Sequence, residues 1–331
     1  MAPDGGRIFT YQTRKIMERQ RIPLYKIRRF GEKIGDTFAF VSENFKPLMK
    51  YLTYSMLPMS LLMGLAMNGY VNGIVGAMPN FASAAGGGSA AGGDFGLTGL
   101  LLSSAGMLLV TLLAYPLMEA VVYGLMRVYG ERENRLKNLA WSELNPMFMH
   151  LLKRAFVQMA FVLGVLLVIG AIAFLLFYLT GIAMLFVFYI VLMVLMFPLL
   201  LMAPIYLFED DATLLGALKK SMVWGFRTWG GIFAVFIVLA LLMYIVMSIV
   251  SLPWVIALVA KMVFGLEGGG ANFVTSPAFS FITYLLSVLN AFVSFLCYAV
   301  PQIGLAYQYG HAAEKFDHVT VDTDIEQFET L

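Results

Sequence analysis

The sequence predicts an all-α integral membrane protein with six transmembrane helices, and three observations support this prediction. First, 60% of the 331 residues are hydrophobic and only 13% are charged, whereas a soluble domain carries about 25% charged residues. Second, six apolar stretches are long enough to cross the hydrocarbon core, which takes about 20 helical residues. Third, the basic residues are concentrated in alternate connecting segments.

The predicted spans are separated by polar segments. A helix satisfies its own backbone hydrogen bonds in lipid, and the period-2 pattern of a membrane barrel is absent. The predicted spans lie near residues 48–77, 99–127, 155–179, 182–208, 229–263 and 280–309. Residues 34–309 therefore form the predicted membrane domain. A basic cytoplasmic segment at 1–33 precedes it, and an acidic cytoplasmic tail at 310–331 follows it.

The distribution of Lys and Arg predicts the orientation. Segments 1–50, 127–154 and 209–228 carry 11, 6 and 3 basic residues, and Lys315 lies in the tail. Lys261 is the one basic residue assigned to the other side. Because Lys and Arg are retained on the cytoplasmic side during insertion, both termini are predicted to be cytoplasmic.

The first, third and fifth spans are each preceded by an amphipathic stretch. Apolar residues recur at i, i+4, i+7, i+11 and i+14, and the middle copy breaks the pattern with the polar Gln158. Such helices can lie at the membrane interface. The first copy has Ile34, Phe38, Val41, Phe45 and Leu48, the second Leu144, Phe148, Leu151 and Ala155, and the third Leu218, Met222, Gly225, Trp229 and Ile232.

The even-numbered spans share a proline followed by a tyrosine near the cytoplasmic exit. Proline removes a backbone hydrogen bond, and tyrosine prefers the interface. The pairs are Pro116 and Tyr123, Pro198 and Tyr206, and Pro301 and Tyr307. We therefore predict three parallel helical hairpins, each preceded by an amphipathic interfacial helix.

Two segments resemble recurring elements of a bacterial membrane-protein superfamily. They read IGDTFAFVSENFKPLMKYL and PIYLFEDDATLLGALKKSMVWGFRTWGGIF. The superfamily includes the YciC-like proteins and the membrane domain of glycerophosphoryl diester phosphodiesterases, with an inner helix of the ALRKSW…FW kind leading into a span. The matching residues are Ala217, Leu218, Lys219, Lys220, Ser221, Arg227 and Trp229. The resemblance implies six spans and the bacterial inner membrane more than an activity.

Glu119 is the acidic residue that lies well inside a predicted span. An ionisable group at that depth is costly, so we expect it to face the helix bundle or a wet cavity. Tyr115 and Tyr123 lie one turn away on either side, and Arg127 lies roughly 12 Å along the helix. These four residues form a predicted intramembrane polar site. The alternative is that Glu119 is a structural partner of a nearby basic residue or tyrosine.

The other polar groups are expected either to form hydrogen bonds between helices or to contact the membrane surface. The amides Asn68, Gln158, Asn290 and Gln302 are expected to form hydrogen bonds between helices. Cations and aromatic rings of the amphipathic stretches are expected to contact anionic lipids, or else a partner membrane protein. The predicted contact residues are Lys219, Lys220, Arg227, Trp229, Phe38 and Phe45. No nucleic-acid-binding module is visible.

The sequence contains no catalytic motif and no ligand spacing for a metal or cofactor. The phosphodiesterase barrel of some similar proteins has no counterpart in these residues. We therefore predict a non-enzymatic protein that organises lipids or partner proteins at the cytoplasmic leaflet. The alternative is a transporter or channel with Glu119 on a polar route, although no pair of interrupted helices is evident. A lipid-metabolising enzyme is a third hypothesis and rests on the family resemblance alone.

Overall fold

The computed structural model describes residues 21–85, 95–267, 274 and 276–320, and the regular elements in this part of the chain are helices. They are α1 (Phe30–Glu43), α2 (Phe45–Ala85), α3 (Phe95–Glu131), α4 (Trp141–Thr180), α5 (Ile182–Leu199), α6 (Met202–Phe208), α7 (Leu214–Arg227), α8 (Trp229–Glu267) and α9 (Pro277–Phe316).

Five helical segments are long and apolar enough to cross a membrane, counted over the described residues. They are Leu97–Glu131, Trp141–Thr180, Leu185–Phe208, Trp229–Phe264 and Pro277–Phe316. Their outer faces are apolar: on α4, for example, Leu167, Phe174 and Tyr178 are 76%, 72% and 79% exposed. A soluble protein rarely leaves so large an apolar surface uncovered. The chain is therefore a multi-pass α-helical membrane protein.

The first predicted span, 48–77, lies within α2, which has 41 residues but is not among the five apolar segments. Asn68 and Asn72 lower its hydropathy, and both lie near Lys261 of α8. Asn72 accepts a hydrogen bond from the buried Lys261 of α8, and Asn68 lines the same small pocket as Lys261. The helix packs between α3 and α9, so part of its surface faces protein.

The fourth predicted span, 182–208, is divided into α5 and α6. The division occurs at Leu200 and Leu201, where the Leu201 amide donates to the Pro198 carbonyl at 3.2 Å in a tightened turn. Pro204 has no N–H to donate to the Leu200 carbonyl four residues earlier. One interrupted helix is thus present, which the sequence analysis did not anticipate.

Two of the three amphipathic stretches form separate helices, α1 and α7, before the long helices α2 and α8. Each ends at a polar residue whose side chain bonds the carbonyl four residues earlier: Asn44 to Phe40 and Thr228 to Trp224. Such bonds compete with the helix ladder. Arg154 holds the equivalent place in the middle copy and bonds other residues instead, and α4 continues through it as one helix.

Helix α9 is central. It packs against α1, α2, α3, α6 and α8, and residues 299–310 are all buried.

Charged side chains gather where α3 and α9 end, in a region that we call the polar end. It comprises Arg28, Lys33, Arg127, Arg154, Glu209 and Lys220. There Glu209 accepts hydrogen bonds from Lys220 at 2.8 and 2.9 Å and from Tyr309 at 3.1 Å, and Lys220 also pairs with Asp317.

Residues 21–29 form an extended strap across the polar end. The Arg21 guanidinium donates to the Gly130 carbonyl at 2.8 Å, at the C-terminal end of α3. The strap crosses α9 at Gly310, where a Cβ atom would lie 2.1 Å from the Leu24 carbonyl oxygen. Glycine is therefore required for this close approach. The strap ties the start of the described chain to α3 and α9.

Lys33 makes stability at the polar end depend on pH. It is 5% exposed and donates to Gln308 Oε1 at 2.7 Å. Burial, reinforced by the positive charges of Arg28 and Lys315, lowers the pKa of Lys33 from 10.5 to about 8. Between these values the unfolded chain binds more protons than the folded one, so the free energy of unfolding rises with pH.

We expect Lys33→Met to remove this rise. The stability of the wild type relative to the variant should increase as pH rises from about 8 to 10.5, measured by denaturant unfolding in detergent. Lys26→Met, at an exposed position of the strap, provides the control and should leave the pH profile unchanged. A pH-independent difference between the wild type and Lys33→Met would contradict this account.

Candidate functional site

Glu119 lies on α3 and is 2% exposed. Tyr115 and Tyr123 lie four residues before and after it and therefore share its face of the helix. Pro116 lies inside the helix and has no N–H group. The carbonyl of Leu112, four residues earlier, therefore lacks its usual backbone donor. This part of α3 thus presents a carboxyl and two phenols beside a weakened turn.

These groups line a cavity of about 340 Å³. Its walls come from α3, α4, α5, α6, α7 and α9, so it lies among helices that are distant in the chain. Gln158 of α4 and Gln302 of α9 project into it and are 6% and 5% exposed. The remaining walls are mainly Leu, Val, Ile, Met and Phe side chains. An apolar cavity with a few convergent polar groups is the usual form of a small-molecule site.

Four buried side-chain atoms at the floor of this cavity have no hydrogen-bond partner within the described chain, and the Tyr115 hydroxyl interacts with the side chains of Glu119 and Gln302 beside them. The four unpaired atoms are Glu119 Oε1, Gln158 Oε1, and Oε1 and Nε2 of Gln302. Buried polar groups are nearly always paired, and an unpaired one costs about 1–3 kcal/mol. Three helices therefore direct unsatisfied polar groups to one place. That arrangement is typical of a binding site and not of helix packing alone.

The mouth of the cavity opens between the outer faces of α3, α4 and α5. Tyr115, Leu166 and Met196 at this mouth are 45%, 44% and 44% exposed, whereas the floor is buried. All three lie within segments apolar enough to span a membrane. In a bilayer these exposed lining residues therefore face hydrocarbon.

The interruption of the fourth predicted span borders the cavity. Leu199 and Leu200 line it from the end of α5, and Met202 and Ala203 line it from the start of α6. Leu200 and Leu201 keep right-handed helical dihedral angles, so the turn is tightened and not unwound. This tightened turn lies at the site.

Three of the four residues of the predicted polar site line this cavity: Tyr115, Glu119 and Tyr123. Arg127 does not, because its guanidinium binds both carboxylate oxygens of Asp210 at 2.8 and 2.6 Å. That bond holds the pKa of Asp210 at about 2. The site therefore forms without Arg127.

Gln158 and Gln302 join the site, although we expected them only to bond between helices. The signal that marks them is their position: Gln158 breaks an apolar pattern, and Gln302 follows a proline. The alternative partners of Glu119 divide into two kinds. The Tyr115 hydroxyl interacts with the Glu119 carboxyl, whereas the nearby basic residues Lys153 and Arg154 lie elsewhere. Lys153 is exposed, and Arg154 donates to carbonyls at the end of α6.

The predicted lipid-contact residues divide into two groups. Phe38 and Phe45 are 37% and 56% exposed, and Lys219 and Arg227 are also exposed. Two others serve internal contacts. Lys220 is paired with Glu209 and Asp317, and the Trp229 indole donates to the Val194 carbonyl at 3.0 Å.

No family model, curated protein or solved structure matches this chain. The resemblance to the YciC-like superfamily thus stays a prediction that rests on the quoted residues.

Proposed function

We propose that this chain is a non-enzymatic membrane protein that binds an amphiphilic molecule, taken laterally from the bilayer, in the Glu119 cavity. The observation that carries the proposal is the set of unpaired floor atoms on Glu119, Gln158 and Gln302 beneath a mouth of apolar spans. A purely structural interior would pair these groups or replace them by apolar ones. A ligand with a polar head and an apolar body satisfies both parts of the cavity.

The proposal includes a topology. Helix α2, despite its lower hydropathy, crosses the bilayer as the first of six spans in three hairpins, with both termini cytoplasmic. The supports are its length of 41 residues and the clustering of basic residues at the polar end. We also propose the bacterial inner membrane and membership of the YciC-like superfamily. The exposed Lys219 and Arg227 then lie at phosphate level and attract anionic lipid.

A cavity-filling substitution tests the proposal. Ala203 lines the cavity from α6, so Ala203→Phe places a ring in the space that the ligand would occupy. We expect native mass spectrometry of the wild type, released from membrane-derived nanodiscs, to show one retained amphiphile in a near-stoichiometric amount. The variant should lose it, because the cavity no longer accommodates the molecule.

Ala160→Phe is the matched control. Ala160 is exposed on α4 and is not among the residues that line the cavity, so this variant should retain the ligand. The unfolding temperatures of both variants are compared first, so that loss of ligand is not confused with loss of fold. Absence of any retained amphiphile from the wild type, or its retention by Ala203→Phe, would refute the proposal.

A transporter is the second candidate function. The observation that favours it is the tightened turn of the fourth span beside the cavity, since irregular helix turns commonly border the substrate sites of transporters. It requires the cavity to open to water on both sides in turn. The exposed residues of the mouth lie on apolar spans, which supports binding or lateral exchange of a lipid-phase molecule.

A further inference from the structure

We infer that the molecule bound in the Glu119 cavity is a primary amine on an apolar chain. This inference rests on the proposed function and names its ligand class. It is carried by the kind of atoms left unpaired at the floor and by the absence of a protein cation beside the carboxyl among the described residues.

Oxygen acceptors dominate the floor. Three of its four unpaired atoms are the Oε1 oxygens of Glu119, Gln158 and Gln302. The carbonyl of Leu112, a residue that also lines the cavity, lacks its usual donor because residue 116 is proline. A primary ammonium has three N–H donors and no acceptor. Its donors therefore match the three unpaired oxygens in number and in kind, and the fourth unpaired atom, the Gln302 Nε2 donor, is not paired by this group.

The charge balance points to the same ligand. Glu119 is the one charged side chain among the described residues that line the cavity. A buried carboxyl is either protonated and neutral or ionised beside a positive charge. The nearest arginine on the same helix is Arg127, about two helical turns from Glu119. Its guanidinium is paired with Asp210. A cationic head group supplies the missing charge, and the pair inside the protein is then neutral.

Other amphiphiles satisfy the site less well. An alcohol brings a single donor and no charge, and so leaves two oxygens unpaired. A quaternary ammonium brings the charge but no N–H donor, and a fatty acid brings a second carboxyl. A cavity of about 340 Å³ lies within the range of small-molecule sites, roughly 300–1,000 Å³. Apolar walls such as Leu163, Leu166 and Ile169 fit the chain of the amine.

The test compares three probes that share one alkyl chain: dodecylamine, dodecanol and dodecyltrimethylammonium. Each is titrated into the full-length protein in nanodiscs of zwitterionic lipid, with empty nanodiscs as the baseline. We expect the wild type to bind dodecylamine most tightly. Glu119→Gln should weaken dodecylamine on the order of 30-fold or more, because one partner of a desolvated charge pair is lost. It should leave dodecanol binding unchanged.

Two further variants make the result specific. Glu131→Gln changes an exposed carboxyl of the same helix outside this cavity and should change the affinity for none of the probes. Gln158→Leu removes one acceptor but keeps the carboxyl, and should weaken dodecylamine by roughly 10-fold. It therefore tests the inference even if Glu119→Gln fails to fold.

The outcomes separate the two proposals. If no probe binds the wild type more tightly than it binds Ala203→Phe, the cavity does not bind amphiphiles and the proposed function is refuted. If the wild type binds all three probes equally, or if dodecylamine binding survives in both Glu119→Gln and Gln158→Leu, the amine assignment is overturned. The proposed function then stands with another ligand class.

Discussion

Arg28→Met is expected to lower the free energy of unfolding by about 3–5 kcal/mol, the usual cost of breaking a buried ion pair. The Arg28 side chain is fully buried, and its Nε donates to Asp36 at 2.7 Å. It also donates to the carbonyls of Pro23 and Leu24 in the strap and lies 4.7 Å from the centre of the Tyr307 ring. Methionine keeps much of the volume but leaves these acceptors unpaired.

The reactivity of Cys297 provides the measurement. This residue is the only cysteine of the chain and is buried, so a thiol-reactive dye reports its exposure as the protein unfolds in detergent. Lys26→Met, at an exposed strap position, is the matched control and should shift the transition little. Equal transitions for the two variants would show that the strap is not anchored through Arg28.

Arg154→Gln is expected to cost about 2–3 kcal/mol, because several charge-assisted hydrogen bonds are lost at once. The guanidinium caps the end of α6, where helix carbonyls have no intrahelical donor. It donates to the carbonyls of Tyr206, Glu209, Asp210 and Ala212 and lies 4.2 Å from the centre of the Tyr206 ring. Glutamine has neither the reach nor the charge to replace it.

The neighbouring Lys153 supplies the control for this variant. It is exposed on α4, so Lys153→Gln removes the same charge without removing the cap and should change stability by less than about 0.5 kcal/mol. The same thiol-dye transition measures both variants. A loss for Lys153→Gln as large as that for Arg154→Gln would mean that net charge, and not the cap, stabilises α6.

The helices and one residue of the site follow directly from the sequence. The length and apolarity of each stretch predict a helix at every one of the six positions, and the helices α2 to α6, α8 and α9 occupy them. Glu119 was predicted to face a bundle or cavity because a carboxyl cannot face lipid without cost, and it lines the cavity. Both inferences depend only on local composition and the solvent.

Two local features escaped the sequence analysis because neighbouring residues decide them. Pro198 predicts a kink, but the division at Leu200 and Leu201 also involves Pro204 a turn later. Asn44 and Thr228 end α1 and α7 by bonding their own helix carbonyls. Arg154 stands at the same place in the middle copy and bonds α6 instead, so the three copies do not fold alike.

The sequence by itself determined the helical membrane class, the approximate positions of the helices and the exclusion of Glu119 from lipid, because each follows from the free energy of placing a given side chain in hydrocarbon or water. Only the tertiary structure decided that Gln158 and Gln302 line one cavity with Glu119, and that Arg127 pairs with Asp210. Those associations depend on which faces of distant helices pack together. The packing of those faces depends on side-chain shape and pairing across the whole bundle, so it cannot be predicted from any single stretch of the sequence.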